Sequence, residues 1–139
     1  YFEMFAQDWF NVGLWGSGAR MKLVINVVLG LNRAVLAEGL AFAKAVGLDL
    51  PSTLEVLRAS PAFSRVMETK GTKMIAGDFE PVARLRQHWK DVRLIQEQAK
   101  KTGQVVPLSD LHETLLATLD SQGFGDLDNS AIFKAFGSD

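Results

Sequence analysis

The stretch that decides the fold is residues 16–47, "GSGARMKLVINVVLGLNRAVLAEGLAFAKAVG". Apolar residues fill most of it, without the alternation of apolar and polar positions that indicates a strand. The pattern predicts a helix from near residue 18 to residue 46, with Gly47 as its stop signal. Such a helix would be about 40 Å long. Because it is apolar nearly all the way round, we expect it to be a buried central helix.

The rest of the chain carries the start and stop signals of further helices. Pro51 suits the first turn of a short helix, and glycines at 77, 103 and 123 suit the ends of three later ones. A short closing helix is predicted after Asp128 or Asn129, either of which can cap it. The sequence therefore predicts an all-α domain of about six helices around one long central helix.

Composition excludes several classes of function. The chain has 139 residues, which is the size of one domain, with 15 basic and 16 acidic residues. This near balance argues against a surface for nucleic acid or anionic lipid. The absence of cysteine excludes disulfides, thiolate zinc sites and cysteine nucleophiles. The run "LVINVVLGL" is shorter than a membrane span and the first ten residues lack a signal-peptide pattern, so we expect a cytoplasmic protein with no membrane partner.

Lys22 and Asn26 are the first candidate site residues. They lie four positions apart, so they share one face of the helix, roughly in line with Arg33. Lys22 has two interpretations: a first-turn lysine whose amine reaches solvent, or a functional amine. Asn26 lies between Ile25 and Val27, and a buried asparagine needs hydrogen-bond partners in the protein or in a ligand. Periodicity alone leaves these alternatives open.

The glycines of the stretch invite two further interpretations. "GSGARM" begins like a dinucleotide fingerprint, but Met21 occupies the third glycine position, which favours a glycine turn over a phosphate cradle. Gly30 and Gly39 lower helix propensity, so we expect each to allow a neighbouring helix to approach closely.

The second long helix offers a polar stripe. Its predicted core face consists of Leu85, Trp89, Val92 and Ala99. Beside it run Arg84, Gln87 or His88, and Asp91, with Lys90 adjacent. This stripe is an ordinary solvated face or part of a site, and polarity alone does not decide which. His88 and His112 are far apart in sequence, with no carboxylate at ligand spacing, so we expect no metal site.

Four segments, taken together, resemble a known family. They are "GSGARMKLVIN", "AEGLAFAKAVGLD", "GDFEP…KDVRL" and "GFGDLDNSAIFKAF". In this order they resemble the C-terminal domain of the β-hydroxyacid dehydrogenases, which include 3-hydroxyisobutyrate dehydrogenase, with 6-phosphogluconate dehydrogenase as a relative. The resemblance implies a helical substrate-binding and dimerisation domain over residues 16–139. Residues 1–15 would then be the tail of a preceding nucleotide-binding domain, or a linker.

The resemblance also implies roles for four residues. Lys22 would be the catalytic acid/base, and Asn26 would bind the substrate and orient that lysine. Lys90 would contact the nicotinamide cofactor, and Asp91 would support the active-site geometry. The cofactor would be NAD or NADP, bound mainly by a domain absent from this chain. The substrate would be a small hydroxy acid or its semialdehyde, and the protein a homodimer or higher homo-oligomer.

A second hypothesis belongs to another class. The chain would be a helical dimerisation or interaction domain that kept the fold without the chemistry. Retention of all four polar residues favours the enzyme. Substrate identity, the choice between NAD and NADP, and the direction of the reaction are not readable from this sequence.

Overall fold

The computed structural model of the protein describes residues 15–137, with side chains from residue 18 onward. The helices are α1 (Trp15–Ala45), α2 (Leu50–Arg58), α3 (Val66–Ala76), α4 (Leu85–Thr102) and α5 (Pro107–Leu119), then a π-helical turn (Asp120–Phe124) and a closing 3₁₀ helix (Asn129–Phe136). Between residues 15 and 137 there is no strand, and one isolated bridge joins Arg84 to Asp128. The predicted all-α fold of about six helices is confirmed, whereas the predicted tail lies almost wholly outside the described residues.

Most of the local signals that begin and end helices act as expected, but the glycine turn predicted at "GSGARM" is wrong, because α1 begins at Trp15 and includes these residues. Asp49 caps α2, its carboxylate accepting a hydrogen bond of 3.1 Å from the backbone N–H of Ser52. Gly77 and Gly103 follow α3 and α4 in the left-handed conformation, with φ of 68° and 78°. Asp128, rather than Asn129, caps the closing helix. Local chemistry therefore fixes the helix ends to within a few residues.

The core forms around the second half of α1. Leu36, Ala37 and Leu40 are at most 3% exposed and pack with residues from every other helix. α1 makes its most extensive contact with the closing 3₁₀ helix, whose Ala131 and Ile132 are fully buried. Burial of these apolar side chains supplies the main stabilisation of the fold.

α1 is the central helix, as predicted, but the expectation that it is buried is wrong for one side of it. Val24, Val28, Val35 and Phe42 are each more than half exposed. Among the described residues, α1 is the one helix long and apolar enough to cross a membrane, and 28% of its most apolar window is buried. Core helices of other proteins share that composition, so the absence of a membrane partner stays a prediction.

Gly30 and Gly39 behave differently from one another. A Cβ added at Gly30 would lie 2.3 Å from Nε2 of His88, so the close approach predicted here is confirmed. A Cβ at Gly39 would meet nothing within 4 Å, and the same prediction is wrong there. At Gly30, α1 therefore leaves room for the ring of His88 on α4.

Asp128 joins distant parts of the chain where α4 begins. It is fully buried, and its carboxylate accepts hydrogen bonds from Nζ of Lys70, at 3.0 and 3.1 Å, and from the backbone N–H groups of Val82, Ala83 and Ser130. Burial acts to raise the pKa of Asp128, but the hydrogen bonds from the hydroxyl and backbone N–H of Ser130 and from the backbone N–H groups of Val82 and Ala83 outweigh it and hold the pKa well below its usual range. The segment before α4 is thereby fixed to both α3 and the closing helix.

Candidate functional site

A groove of about 300 Å³ runs between α1 and α4. Polar and apolar side chains alternate along it, and its lining consists of Ala19, Lys22, Leu23 and Asn26 from α1, with Asp91, Leu94 and Gln98 from α4. Its volume is at the lower end of the range for small-molecule sites.

The two helices run antiparallel along this groove. Gly30 of α1 contacts His88 of α4, and the groove begins one turn away from that contact, at Asn26 and Asp91. From there α1 continues toward Ala19 while α4 continues toward Gln98. The close approach at Gly30 therefore sets which residues of α4 face Lys22 and Asn26.

Three of the four predicted site residues meet in this groove. Lys22 is exposed and Asn26 is half-buried, and within the described residues neither has a hydrogen-bond partner. Asp91 is half-buried and accepts one hydrogen bond of 3.3 Å from Nε2 of Gln87. An ammonium, an amide and a carboxylate thus share one groove with hydrogen-bonding capacity left for a ligand.

The structure leaves both interpretations of Lys22 open. Its amine has a route to solvent, and it also lies in the groove. Lys90 is exposed and does not line the groove, because it is one position before Asp91 and so points about 100° away around α4. The structure brings Lys22, Asn26 and Asp91 together and leaves Lys90 beside them.

Four groove residues were not predicted from the sequence: Ala19 and Leu23 on α1, and Leu94 and Gln98 on α4. Leu94 and Gln98 lie three and seven residues after Asp91, so helical spacing places all three on one face of α4. This spacing can be recognised in the sequence. The antiparallel register that turns this face of α4 toward Lys22 cannot.

The core face of α4 also differs from the prediction. Leu85 and Val92 are buried as expected, but Trp89 is only partly buried, and its Nε1–H donates to a carboxylate oxygen of Glu113 at 2.7 Å. Of the two alternatives for the polar stripe, Gln87 is exposed, whereas His88 is 7% exposed and therefore buried. Its position three residues after Leu85 and four before Val92 is that of a core residue.

His88 is part of a buried polar cluster with His112 and Arg33. The ring centroids of the two histidines are 5.2 Å apart. Burial, then the positive charge of Arg33 and the other histidine, lowers the pKa of His88 to about 3, and burial with Arg33 lowers that of His112 to about 4. Both rings are therefore neutral at pH 7. Long sequence separation hid this pair from the sequence analysis.

The described part of the chain contains no group of three or more histidine, aspartate or glutamate side chains arranged to hold a metal ion. The expectation of a metal-free site stays a prediction.

The sequence profile of one protein family matches residues 16–136, and that family is described as the NAD-binding domain of NADP-dependent 3-hydroxyisobutyrate dehydrogenase. Among curated proteins, the cytokine-like nuclear factor N-PAC of Aedes aegypti is 31% identical over 95% of this chain and 24% of its own length. The chloroplastic glyoxylate/succinic semialdehyde reductase 2 of Arabidopsis thaliana is 30% identical over 97% of this chain and 38% of its own length.

A solved structure is also similar to this chain. The 3-hydroxyisobutyrate dehydrogenase of Salmonella typhimurium superposes with a TM-score of 0.82 at 25% identity, over 86% of this chain and 42% of that one. The chain thus spans less than half the length of each of these three proteins.

Proposed function

The chain belongs to the family of NAD-binding domains of NADP-dependent 3-hydroxyisobutyrate dehydrogenases, and we propose that it is the C-terminal helical domain of an NAD(P)-dependent oxidoreductase. The reaction would interconvert a small β-hydroxy acid and its semialdehyde. The observation that carries the proposal is the groove in which Lys22, Asn26 and Asp91 meet. The names of the reductase and dehydrogenase relatives support the class of reaction.

The groove fits part of the reacting assembly. About 300 Å³ accommodates a small hydroxy acid or a nicotinamide ring, but not a whole dinucleotide. We therefore place most of the cofactor on a nucleotide-binding domain that precedes residue 16, with Lys90 contacting it from outside the groove. Bound nicotinamide would supply or accept the hydride.

The groove residues would handle the proton and the substrate. In the reductive direction the ammonium of Lys22 donates a proton to the substrate carbonyl oxygen, and in the oxidative direction its amine takes that proton back. The same ammonium stabilises the negative charge that develops on this oxygen in the transition state. Asn26, one turn along α1, donates a hydrogen bond to the substrate from its amide. The carboxylate of Asp91 acts as a positioning group across the groove.

The test uses the full-length protein in both directions: with NAD⁺ and NADP⁺ against 3-hydroxyisobutyrate, which is a β-hydroxy acid, and with NADH and NADPH against glyoxylate and succinic semialdehyde, the aldehydes in the name of one relative. Lys22→Met should lower kcat by about 10²–10⁴-fold, since it removes a general acid/base. Lys44→Met is the matched control, because Lys44 is exposed on the same helix but lies far from the groove. Both variants should keep the wild-type melting temperature. Wild-type turnover in Lys22→Met would refute the role given to Lys22.

Assembly and location belong to the same proposal. The exposed apolar side chains along α1 support a homodimer or higher homo-oligomer. Sedimentation of the full-length protein as a monomer at all concentrations would contradict this. We also propose a cytoplasmic location.

A second candidate function is a helical interaction domain without catalysis. The relative named as a nuclear factor favours it, because that protein shares this domain without being named a dehydrogenase. If the wild-type protein turned over none of these three substrates, and bound neither NAD nor NADP, this candidate would replace the enzyme.

A further inference from the structure

Among the described residues, the interior holds one more positive charge than negative. Three ionised side chains are buried: Arg33 and Lys70, each 8% exposed, and Asp128, which is fully buried. The pKa of Arg33 is lowered to about 10 by burial, against the opposing effect of Asp128, so its guanidinium is still protonated at pH 7. His88 and His112 are neutral, as described above, and add no charge of either sign.

Asp128 cannot balance both cations. Its two oxygens already accept from Lys70, from the backbone N–H groups of Val82, Ala83 and Ser130, and from the hydroxyl of Ser130. A carboxylate has about four lone-pair positions, and these bonds use them all. Lys70 is therefore the cation that Asp128 neutralises, at 3.0 Å.

Arg33 has no acceptor within the described part of the chain. Its Nε and Nη1 are buried and lack hydrogen-bond partners, and Nε2 of the neighbouring His88 is in the same state. A buried guanidinium without a counter-charge is among the most destabilising features that a protein interior can contain. Ordered water would satisfy its N–H groups but would leave the charge in place.

We propose that a small monovalent anion binds inside the domain at Arg33, beside the two histidines. The ligand class is chloride or a small carboxylate, since both carry one negative charge and accept N–H hydrogen bonds. The site lies at the level of Gly30, beyond the groove, and is distinct from the proposed reaction site. Its existence does not depend on the proposed function.

The first experiment measures the thermal stability of the full-length protein in sodium chloride, sodium formate and sodium gluconate at equal ionic strength. Gluconate is too large to contact a guanidinium on a side chain that is only 8% exposed, so it controls for screening. At chloride about a hundredfold above its Kd, the folding equilibrium constant should rise about a hundredfold over that in gluconate. Stabilisation by formate but not by chloride would support the site and identify it as a carboxylate site.

Two variants localise the effect. Arg33→Met should abolish the dependence on chloride or formate, and in gluconate it should melt above the wild type, because it removes an uncompensated buried charge. Arg20→Met is the control, since Arg20 is an exposed arginine on the same helix, and it should keep the dependence.

Three results would overturn the proposal. The first is a wild-type melting temperature that is the same in all three salts. The second is an anion dependence that survives in Arg33→Met, which would put the ion elsewhere. If Arg33→Met does not fold, crystals grown in bromide and in formate decide: an anomalous bromide peak or a formate ion at Arg33 supports the site, and the absence of both overturns it.

Discussion

Replacing Asp128 with asparagine should strongly destabilise the domain. Asp128 has no exposed surface and balances the charge of Lys70 at 3.0 Å. The neutral amide of the Asp128→Asn variant would leave that ammonium buried without a counter-charge. The amide NH₂ would also face the N–H of Ser130 or the ammonium, so one acceptor becomes a donor directed at another donor.

The size of the effect follows from these two losses. Breaking a buried ion pair by removing one member costs about 3–5 kcal/mol, because the other charge stays buried. The amide oxygen that the variant retains can still accept from the backbone N–H groups of Val82 and Ala83, which now donate to Oδ1 of Asp128 at 2.9 and 3.1 Å. We therefore expect about 3–5 kcal/mol rather than the larger loss that would follow if all these bonds were broken.

The assay is urea unfolding of wild type and Asp128→Asn at pH 7, with Asp126→Asn as the matched control. The side chain of Asp126 is 67% exposed, and it pairs with Arg84 at 3.4 Å and with Arg86 at 2.8 Å. Exposed pairs of this kind contribute about 0–1 kcal/mol. The two substitutions are chemically identical and differ in burial.

The pH dependence gives a second readout for Asp128. Its folded pKa lies below its unfolded pKa, so its contribution is present above about pH 4 and is lost as the pH falls. The free-energy difference between wild type and Asp128→Asn should shrink as the pH falls below about 4. A cost below about 1 kcal/mol at pH 7, equal to that of Asp126→Asn, would refute the reasoning.

Two other predictions concern the packing of α1 against α4. Gly30→Ala should destabilise the domain by about 1–3 kcal/mol, because the new Cβ would lie 2.3 Å from Nε2 of His88. Gly39→Ala should stabilise it by up to about 1 kcal/mol, because its Cβ meets nothing within 4 Å. Equal melting temperatures for the two variants would contradict both predictions. Burial lowers the pKa values of His88 and His112 to about 3 and 4, so below about pH 6.5 the unfolded state binds more protons than the folded state. As the pH falls from about 6 to about 4.5, the free energy of unfolding should therefore decrease by about 1.4 kcal/mol per pH unit for each histidine. His112→Gln should remove the contribution of one histidine to this pH dependence. If denaturant titrations gave the same pH dependence for the variant and the wild type, that result would count against the burial of His112.

Helix identity and helix ends were predictable because they depend on nearby residues. The cap at Asp49 and the left-handed glycines at 77 and 103 act within one or two turns of the chain. The buried face of α4 was harder to predict, since His88 is polar and yet lies at a core position. Its burial depends on Gly30, 58 positions earlier, which leaves room for the ring.

The candidate site was predictable only in part for a related reason. The spacing of Lys22 and Asn26 follows from one helix, and their pairing with Asp91 came from the resemblance. Gln98 enters the groove because α1 and α4 are antiparallel in one register, and no periodicity within either helix specifies that register. The charge imbalance at Arg33 could not be predicted from the sequence, since it depends on which ionised groups are buried together in the folded protein.

The bond between Lys70 and Asp128 also sets a time for folding during synthesis. The two residues are 58 positions apart, and ribosomes add about 5–20 residues per second, so roughly 3–12 seconds separate the synthesis of one from that of the other. Over that interval the ammonium of Lys70 lacks its counter-charge, and the surface that Ile132 will cover stays open to water. The nascent domain is thus exposed to proteases and chaperones for seconds, and the closing helix ends that exposure.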